Sequence, residues 1–127
     1  MKLLDTDVFI DILRAYPAAL QWLEELDGEE IVLPGFVAME LIQGCRDKQQ
    51  LDALQAQLGK FRIIWPDADA CETAMSIFGQ FHLSHNLGLL DSLIGQIAIA
   101  AGVPLNSFNR RHYDTIPGLT VVEPYVR

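Results

Sequence analysis

The sequence predicts an α/β sandwich with a short, mostly parallel sheet. Short apolar runs that fit buried strands alternate along the chain with longer segments whose apolar residues recur at helical spacing. Strands that alternate with helices favour parallel pairing, because each connecting helix returns the chain to the same end of the sheet. The 127 residues contain no repeat and no linker-like segment, so we expect a single domain over residues 1–127.

The first half of the chain predicts three strands and four helices. The strands are expected at 2–5, 31–33 and 61–65, each a short apolar run. The helices are expected at 7–14, from Pro17 to Gly28, at 36–45, and over a leucine repeat that ends at Gly59. Pro17 suits a first helical position, and Gly59 suits a helix end.

The second half predicts two longer helices and two brief strands. A capping-box pattern at Asp69 predicts a helix through Phe81, followed by a polar loop over residues 82–88. Apolar residues over 90–101 recur at i, i+3, i+4, i+7, i+8 and i+11 without a miss, which indicates a core-facing helix. Strands are expected at 103–106 and 120–122, with a short turn or helix near 109–113.

Composition and charge narrow the classes of function. Half of the residues are hydrophobic, which allows a real core, and no apolar run reaches the roughly 18 residues of a membrane span. The two cysteines fit a reducing compartment, and we expect a cytoplasmic protein with no membrane association. The net charge of −8 is unlike that of most nucleic-acid binders, so an RNA substrate would require bound cations and local basic patches.

Three carboxylates occupy positions that stability alone does not explain well. Asp5 ends an apolar strand, Glu40 interrupts an apolar stretch, and Asp91 begins the most regular apolar helix. If the fold brings the three together they repel one another, and a divalent cation is an effective way to hold them close. This pattern favours a metal-dependent enzyme of phosphodiester chemistry.

Each of these acids also has a structural interpretation. Asp5 could cap a helix, and Asp91 could stabilise a helix N-terminus through the macrodipole. Glu40 could pair with an arginine elsewhere in the chain, but its place beside an apolar stripe gives it the poorest structural explanation of the three.

Other polar residues remain open between structure and function. Asp7 fits either a helix cap or a group that supports the site, whereas Asp11 fits solvated surface. His82 and His85 are three residues apart but have no third histidine or cysteine nearby, which argues against a zinc site. The basic cluster Arg110, Arg111 and His112 fits either a phosphate contact or an exposed surface.

Four segments, in order, resemble the motifs of PIN-domain ribonucleases, especially the VapC-type toxins. They are residues 3–11, 39–44, 90–98, and the C-terminal run 104–113 with 116–119. The resemblance covers essentially the whole chain. It implies a three-layer α/β/α, Rossmann-like sandwich with an acidic cluster around Mg²⁺ or Mn²⁺.

The resemblance also implies residue roles. Asp5, Glu40 and Asp91 would be the catalytic acids and the metal ligands. Asn109 would take the place of a fourth acid, with Ser107 as a supporting hydroxyl in the hydroxyl-x-acid signature. Asp7 stands where the family often has Asn, and so adds negative charge beside the site.

The implied function is that of a Mg²⁺-dependent endoribonuclease toxin that hydrolyses phosphodiester bonds in RNA. The substrate would be a structured RNA such as tRNA or rRNA, with Arg110, Arg111 and His112 contacting phosphates. A small VapB-like antitoxin would neutralise the toxin, and a homodimer is expected.

Two rival interpretations differ in class. The Asp5-x-Asp7 pair after an apolar strand also resembles the first motif of haloacid-dehalogenase-type phosphatases, with Asp5 as the nucleophile and Asp7 as the acid/base. The second rival is a PIN fold with weak or no catalysis that serves as an interaction module.

Overall fold

The buried apolar runs form one five-stranded sheet in which every neighbouring pair is parallel. The computed structural model describes residues 1–127. The strands are β1 Lys2–Leu4, β2 Ile31–Pro34, β3 Arg62–Ile64, β4 Leu105–Asn106 and β5 Val121–Val122. Their order across the sheet is β3-β2-β1-β4-β5. The chain adds strands on one side of β1 and then crosses to the other side, which makes the end of β1 a topological switch point.

Seven helices flank the sheet. They are α1 Thr6–Leu13, α2 Pro17–Glu25, α3 Gly35–Gln43, α4 Lys48–Leu58, α5 Ala68–His85, α6 Leu89–Ala101 and α7 Arg110–Tyr113. The predicted strands and most of the predicted helices appear within a few residues of their expected bounds, and the predicted α/β fold class is confirmed.

The sheet has an apolar core on each face. Along β1, Leu3 packs into one core and Leu4 into the other, and Val32 and Leu33 divide in the same way along β2. This alternation follows from the two-residue period of a strand. The first core is covered chiefly by α6, and the second by α1 and α2. The three-layer α/β/α arrangement is therefore confirmed.

The predicted bounds of α5 were wrong at both ends. The N-cap is Asp67, whose carboxylate accepts a 2.8 Å hydrogen bond from the Ala70 amide, instead of Asp69. The helix continues through His85, so the polar loop expected over residues 82–88 begins only at Asn86. Asn86 adopts φ 55°, the left-handed conformation that ends many helices. The polar side chains on the last turns of α5 are exposed, and in sequence such a run resembles a loop.

The prediction that Asp11 lies on solvated surface was also wrong. Asp11 is buried on α1, and its two carboxylate oxygens accept hydrogen bonds from Tyr125 and Arg127. These partners are more than 110 residues away in sequence, so local spacing held no sign of them.

The leucine repeats of α2 and α4 mostly face the second core. Leu23, Leu26 and Leu54 pack against it and Leu58 is buried, whereas Leu20 stays 38% exposed. No helix has the length and apolar character that crossing a membrane requires.

Candidate metal-dependent active site

Asp5 and Ser107 meet at the switch point of the sheet. Asp5 follows β1 directly and Ser107 follows β4, and these strands are neighbours. The Thr6 amide donates to Asp5 Oδ1 at 2.8 Å, so Asp5 is the N-cap of α1. The Ser107 hydroxyl donates to Asp5 Oδ2 at 2.7 Å. Both side chains are buried. The Asp5 carboxylate is therefore held away from solvent by one hydrogen bond at each oxygen.

Glu40 reaches the same place from α3. Its carboxylate is half-buried and accepts a 3.2 Å hydrogen bond from the Thr6 hydroxyl. No arginine or lysine forms an ion pair with it. Burial raises the pKa of Glu40, and the nearby charges of Asp5 and Asp91 raise it further, although the Thr6 bond opposes this. The arginine partner that would have explained Glu40 structurally is absent.

Asp91 lies in the first turn of α6. A Cβ placed on Gly88 would come within 2.8 Å of Asp91 Oδ2, so a glycine at this position leaves room for the carboxylate. His112 Nδ1 is 3.7 Å from the same oxygen. Burial raises the pKa of Asp91, His112 partly offsets that effect, and the charge of Asp5 adds to it.

Asp7 joins the acid cluster to the loop after β4. Its Oδ1 accepts from the Val8 amide and its Oδ2 from the Phe108 amide, each at 2.8 Å. Burial raises the pKa of Asp7 and the charge of Asp5 raises it further. Asp7 therefore contacts its own helix and also supports the site loop.

These residues line one open cleft of about 440 Å³. Its lining includes the three predicted catalytic acids together with Thr6, Asp7, Ile10, Gly88, Leu90, Asn109 and His112. No three His, Cys, Asp or Glu side chains converge closely enough here to hold an ion among them. The acids thus share a cleft without forming a closed coordination shell.

The residues expected to contact substrate lie on two sides of α7. Asn109 and His112 line the acidic cleft. Arg110 donates to the Val121 carbonyl at 2.9 Å, so part of its guanidinium is already engaged. Arg111 is exposed and makes no ion pair.

A second open cavity, of about 610 Å³, adjoins the acidic cleft and shares Asn109 and His112 with it. Arg110 and Arg111 line this cavity, and His85 enters it from the end of α5. No acidic residue lines it. Cationic and acidic surfaces therefore meet at α7. In the sequence His85 suggests only a zinc ligand without enough partners, whereas the last turn of α5 brings it to this cavity.

Tyr113 is a second residue that sequence reasoning missed. Its side chain is 2% exposed, and its hydroxyl makes no hydrogen bond of good geometry. Burial raises the pKa of this hydroxyl, and the negative charges of the nearby Asp5 and Asp91 raise it further. A tyrosine at the end of a basic cluster resembles an ordinary core aromatic in sequence, so its neighbours were visible only in the fold.

Comparison with known proteins places the chain in a family. A model of the PIN domain matches residues 2–116, which include every acid of the cleft and end before the last eleven residues. Ribonuclease VapC19 from Mycobacterium tuberculosis is 34% identical over 124 residues, covering 94% of this chain and 97% of the relative.

Solved structures agree with this placement. A toxin–antitoxin complex from Klebsiella pneumoniae contains a chain that is 26% identical and superposes with a TM-score of 0.77, with full coverage of both chains. A chain of VapBC2 from Rickettsia felis, bound to a DNA fragment from its promoter, shares the fold at 22% identity and a TM-score of 0.78, covering 95% of this chain and 96% of that one. With its parallel sheet, its four ordered motifs and a family match over most of its length, this chain belongs to the PIN-domain family.

Proposed function

We propose that this chain is a Mg²⁺-dependent endoribonuclease toxin of the VapC type, and that a small VapB-like antitoxin is its partner. The observation that carries this proposal is the meeting of Asp5, Glu40 and Asp91, from three different elements, in one cleft at the switch point of the sheet. In open parallel sheets this crevice is the usual place for a ligand. Similarity to a ribonuclease and to chains of toxin–antitoxin complexes supports the RNA substrate and the antitoxin.

The donor set of the cleft suits a hard divalent cation. Carboxylate oxygens are the ligands that Mg²⁺ and Mn²⁺ prefer. The raised pKa values of Glu40 and Asp91 express, in part, repulsion from Asp5, which a cation would relieve. Because Mg²⁺ keeps several waters, it does not need a closed protein shell. Asp5 and Asp91 would hold the ion directly or through water, with Glu40 completing the set.

The bound ion would polarise the scissile phosphate, lower the pKa of the attacking water and stabilise the leaving oxygen. The protein would position the carboxylates around the ion. Ser107 and Thr6 hold the carboxylates of Asp5 and Glu40 by hydrogen bonds. Asn109, which lines the cleft, would orient a water molecule or an RNA oxygen.

The basic cavity beside the cleft would hold the rest of the RNA strand. Arg111 is the exposed cation there that makes no ion pair, and Arg110 adds charge while bonded to the Val121 carbonyl. His85 and His112 add imidazole hydrogen-bonding groups, and His112 also faces Asp91. The favoured substrate is a single-stranded loop of a structured RNA such as tRNA or rRNA, since an unpaired backbone reaches a recessed site more readily than a duplex does.

The remaining expectations concern assembly. A cytoplasmic homodimer is proposed, in complex with an antitoxin that places a basic side chain at the acidic cleft. Light scattering at micromolar concentration tests the dimer, and a monomer alone would contradict it. A short open reading frame next to the gene would support the antitoxin.

The nuclease proposal is tested with purified protein, a folded tRNA and Mg²⁺. We expect specific cleavage that EDTA abolishes and that Asp5→Asn lowers by at least 100-fold. Asn retains the capping preference of Asp, so the variant should fold. Asp52→Asn, on exposed α4, is the matched control and should cleave normally. Equal cleavage by the wild type and Asp5→Asn would disprove the proposal.

RNA cleavage, growth on expression and a test for a phosphorylated aspartate together separate the two rival functions. An inactive interaction module would bind an antitoxin, cleave no RNA and leave growth unaffected on expression. A phosphatase would form an acid-labile aspartyl-phosphate on Asp5. The cleft does not favour phosphatase chemistry, because no lysine or arginine lines it.

A further inference from the structure

Asp11 is a buried carboxylate on α1 that lies outside the acidic cleft. The Tyr125 hydroxyl donates to its Oδ2 at 2.8 Å, and the Arg127 guanidinium donates to its Oδ1 at 3.0 Å. Burying a charge without partners is costly, whereas charge-assisted bonds to both oxygens compensate for much of that cost. Asp11 therefore fixes the segment after β5 against α1.

The segment after β5 that Asp11 holds packs on one aromatic ring, that of Phe108, in the loop after β4. The ring centroid of Tyr125 is 5.0 Å from that of Phe108, and the Arg127 guanidinium carbon lies 4.9 Å from the centroid of the same Phe108 ring. Trp22, on α2, supports Tyr125 from another side at 6.0 Å. Phe108 is thus held by an aromatic contact and a cation–π contact together.

Phe108 is the centre of the Ser107–Asn109 loop. Its amide donates to Asp7, and its two neighbours are joined because the Asn109 amide donates to the Ser107 hydroxyl at 3.0 Å. That hydroxyl in turn donates to Asp5. A continuous series of contacts therefore runs from Asp11 to two carboxylates of the cleft.

We propose that Asp11, Tyr125 and Arg127 form a clamp, acting through the Phe108 ring, that positions the Ser107–Asn109 loop and with it the carboxylates of Asp5 and Asp7. The three clamp residues do not line the acidic cleft, so they act as positioning residues. The contacts described above support the clamp by themselves. Only its effect on catalysis rests on the proposed function.

The test uses the full chain and the double variant Tyr125→Phe with Arg127→Gln, which keeps the Tyr125 ring and removes both bonds to Asp11. Tyr16→Phe with Arg62→Gln is the matched control. The Tyr16 ring lies 6.3 Å from that of Tyr125 without a hydrogen bond from its hydroxyl, and Arg62 makes an exposed ion pair with Glu30. Circular dichroism confirms that each variant is folded.

The first readout is amide hydrogen exchange by NMR without metal or RNA. We expect exchange at Phe108 and Asn109 to accelerate at least tenfold more than exchange at the core residue Ile97 in the clamp variant, because Ile97 reports any loss of global stability, and none of the three amides to accelerate in the control. Equal exchange at Phe108 in wild type and clamp variant would overturn the clamp.

The second readout is Mn²⁺ affinity by calorimetry, together with kcat and KM for RNA cleavage. We expect weaker Mn²⁺ binding by several-fold and a lower kcat with KM nearly unchanged, because the clamp acts on the carboxylates and not on the basic cavity. A lower melting temperature with unchanged Mn²⁺ affinity and kcat would leave only a structural role and overturn the proposal. A wild type that cleaves no RNA would instead contradict the proposed function, and the exchange result would still decide whether the clamp holds the loop.

Discussion

Asp5 combines the structural role of a helix cap with the proposed role of a metal ligand. Its carboxylate caps α1 and accepts a bond from Ser107, so its orientation is set before any ion binds. Glu40 and Asp91 have fewer bonds to hold them, and their pKa values are raised by burial and by the charge of Asp5. The residues of the cleft are thus arranged at some expense to the stability of the metal-free protein, a common feature of functional sites.

Asp91→Asn should separate stability from activity. Removing one charge of the cluster relieves repulsion, so the free energy of unfolding without metal should rise by about 1 kcal/mol. RNA cleavage should fall by at least 100-fold. Thermal unfolding in EDTA and a cleavage assay measure the two effects. Glu72→Gln, on the exposed face of α5, is the control and should change neither. A less stable Asp91→Asn protein would contradict this interpretation of the cluster.

Two tyrosines should respond in opposite ways to the loss of a hydroxyl. Tyr113→Phe removes a buried hydroxyl that makes no hydrogen bond of good geometry, so the metal-free protein should gain up to about 1 kcal/mol. Tyr125→Phe removes a 2.8 Å bond to a buried carboxylate, so it should lose about 1–2 kcal/mol. Urea unfolding of both variants gives the comparison, and a shift of the same sign in both would refute it.

Helix α3 contributes to both cores while carrying Glu40 to the site. Val37 packs into one core and Ala38 into the other, so the position of Glu40 depends on both faces of the sheet. At its first residue, Gly35, an added Cβ would collide with the indole ring of Trp65. The start of α3 can therefore approach Trp65 closely only because Gly35 has no side chain.

Gly35→Ala and Gly79→Ala form a matched pair on two helices. At Gly35 the indole ring of Trp65 must move away from the helix, so we expect a loss of about 1–3 kcal/mol. At Gly79, in the exposed middle of α5, a Cβ meets nothing within 4 Å, so alanine should add about 0.5–1 kcal/mol. Chemical denaturation followed by fluorescence tests both, and equal effects would be inconsistent with this packing.

At the scale of the whole molecule, a net charge of −8 and an acidic cleft coexist with a basic cavity at α7. The raised pKa values of Asp7, Glu40 and Asp91 mean that the folded state binds more protons than the unfolded chain in the intervening pH range. The stability from these three groups is fully present below their ordinary pKa values of about 4 and is lost as pH rises through the raised values.

Mg²⁺ should therefore stabilise the protein in a pH-dependent way. At pH 7 the ion should add about 1.4 kcal/mol at a concentration ten times the Kd. At pH 4 the raised pKa values of Glu40 and Asp91 favour their protonated forms, which bind the ion more weakly, so the melting temperature should rise less. NaCl at the same ionic strength controls for screening of the overall charge. An equal rise with NaCl, or an equal effect of Mg²⁺ at both pH values, would contradict a specific site.

Sequence periodicity alone determined the fold class and nearly every element, because burial imposes a period of two on strands and 3.6 on helices. The acids along the chain also indicated one cleft: Asp5 directly follows β1, whereas Glu40 and Asp91 reach it from α3 and α6. Only the tertiary structure decided the buried role of Asp11, the place of His85 on a helix and the unpaired hydroxyl of Tyr113. Each of these depends on partners that are distant in sequence or on an exact helix end, and local patterns contain no information about such contacts.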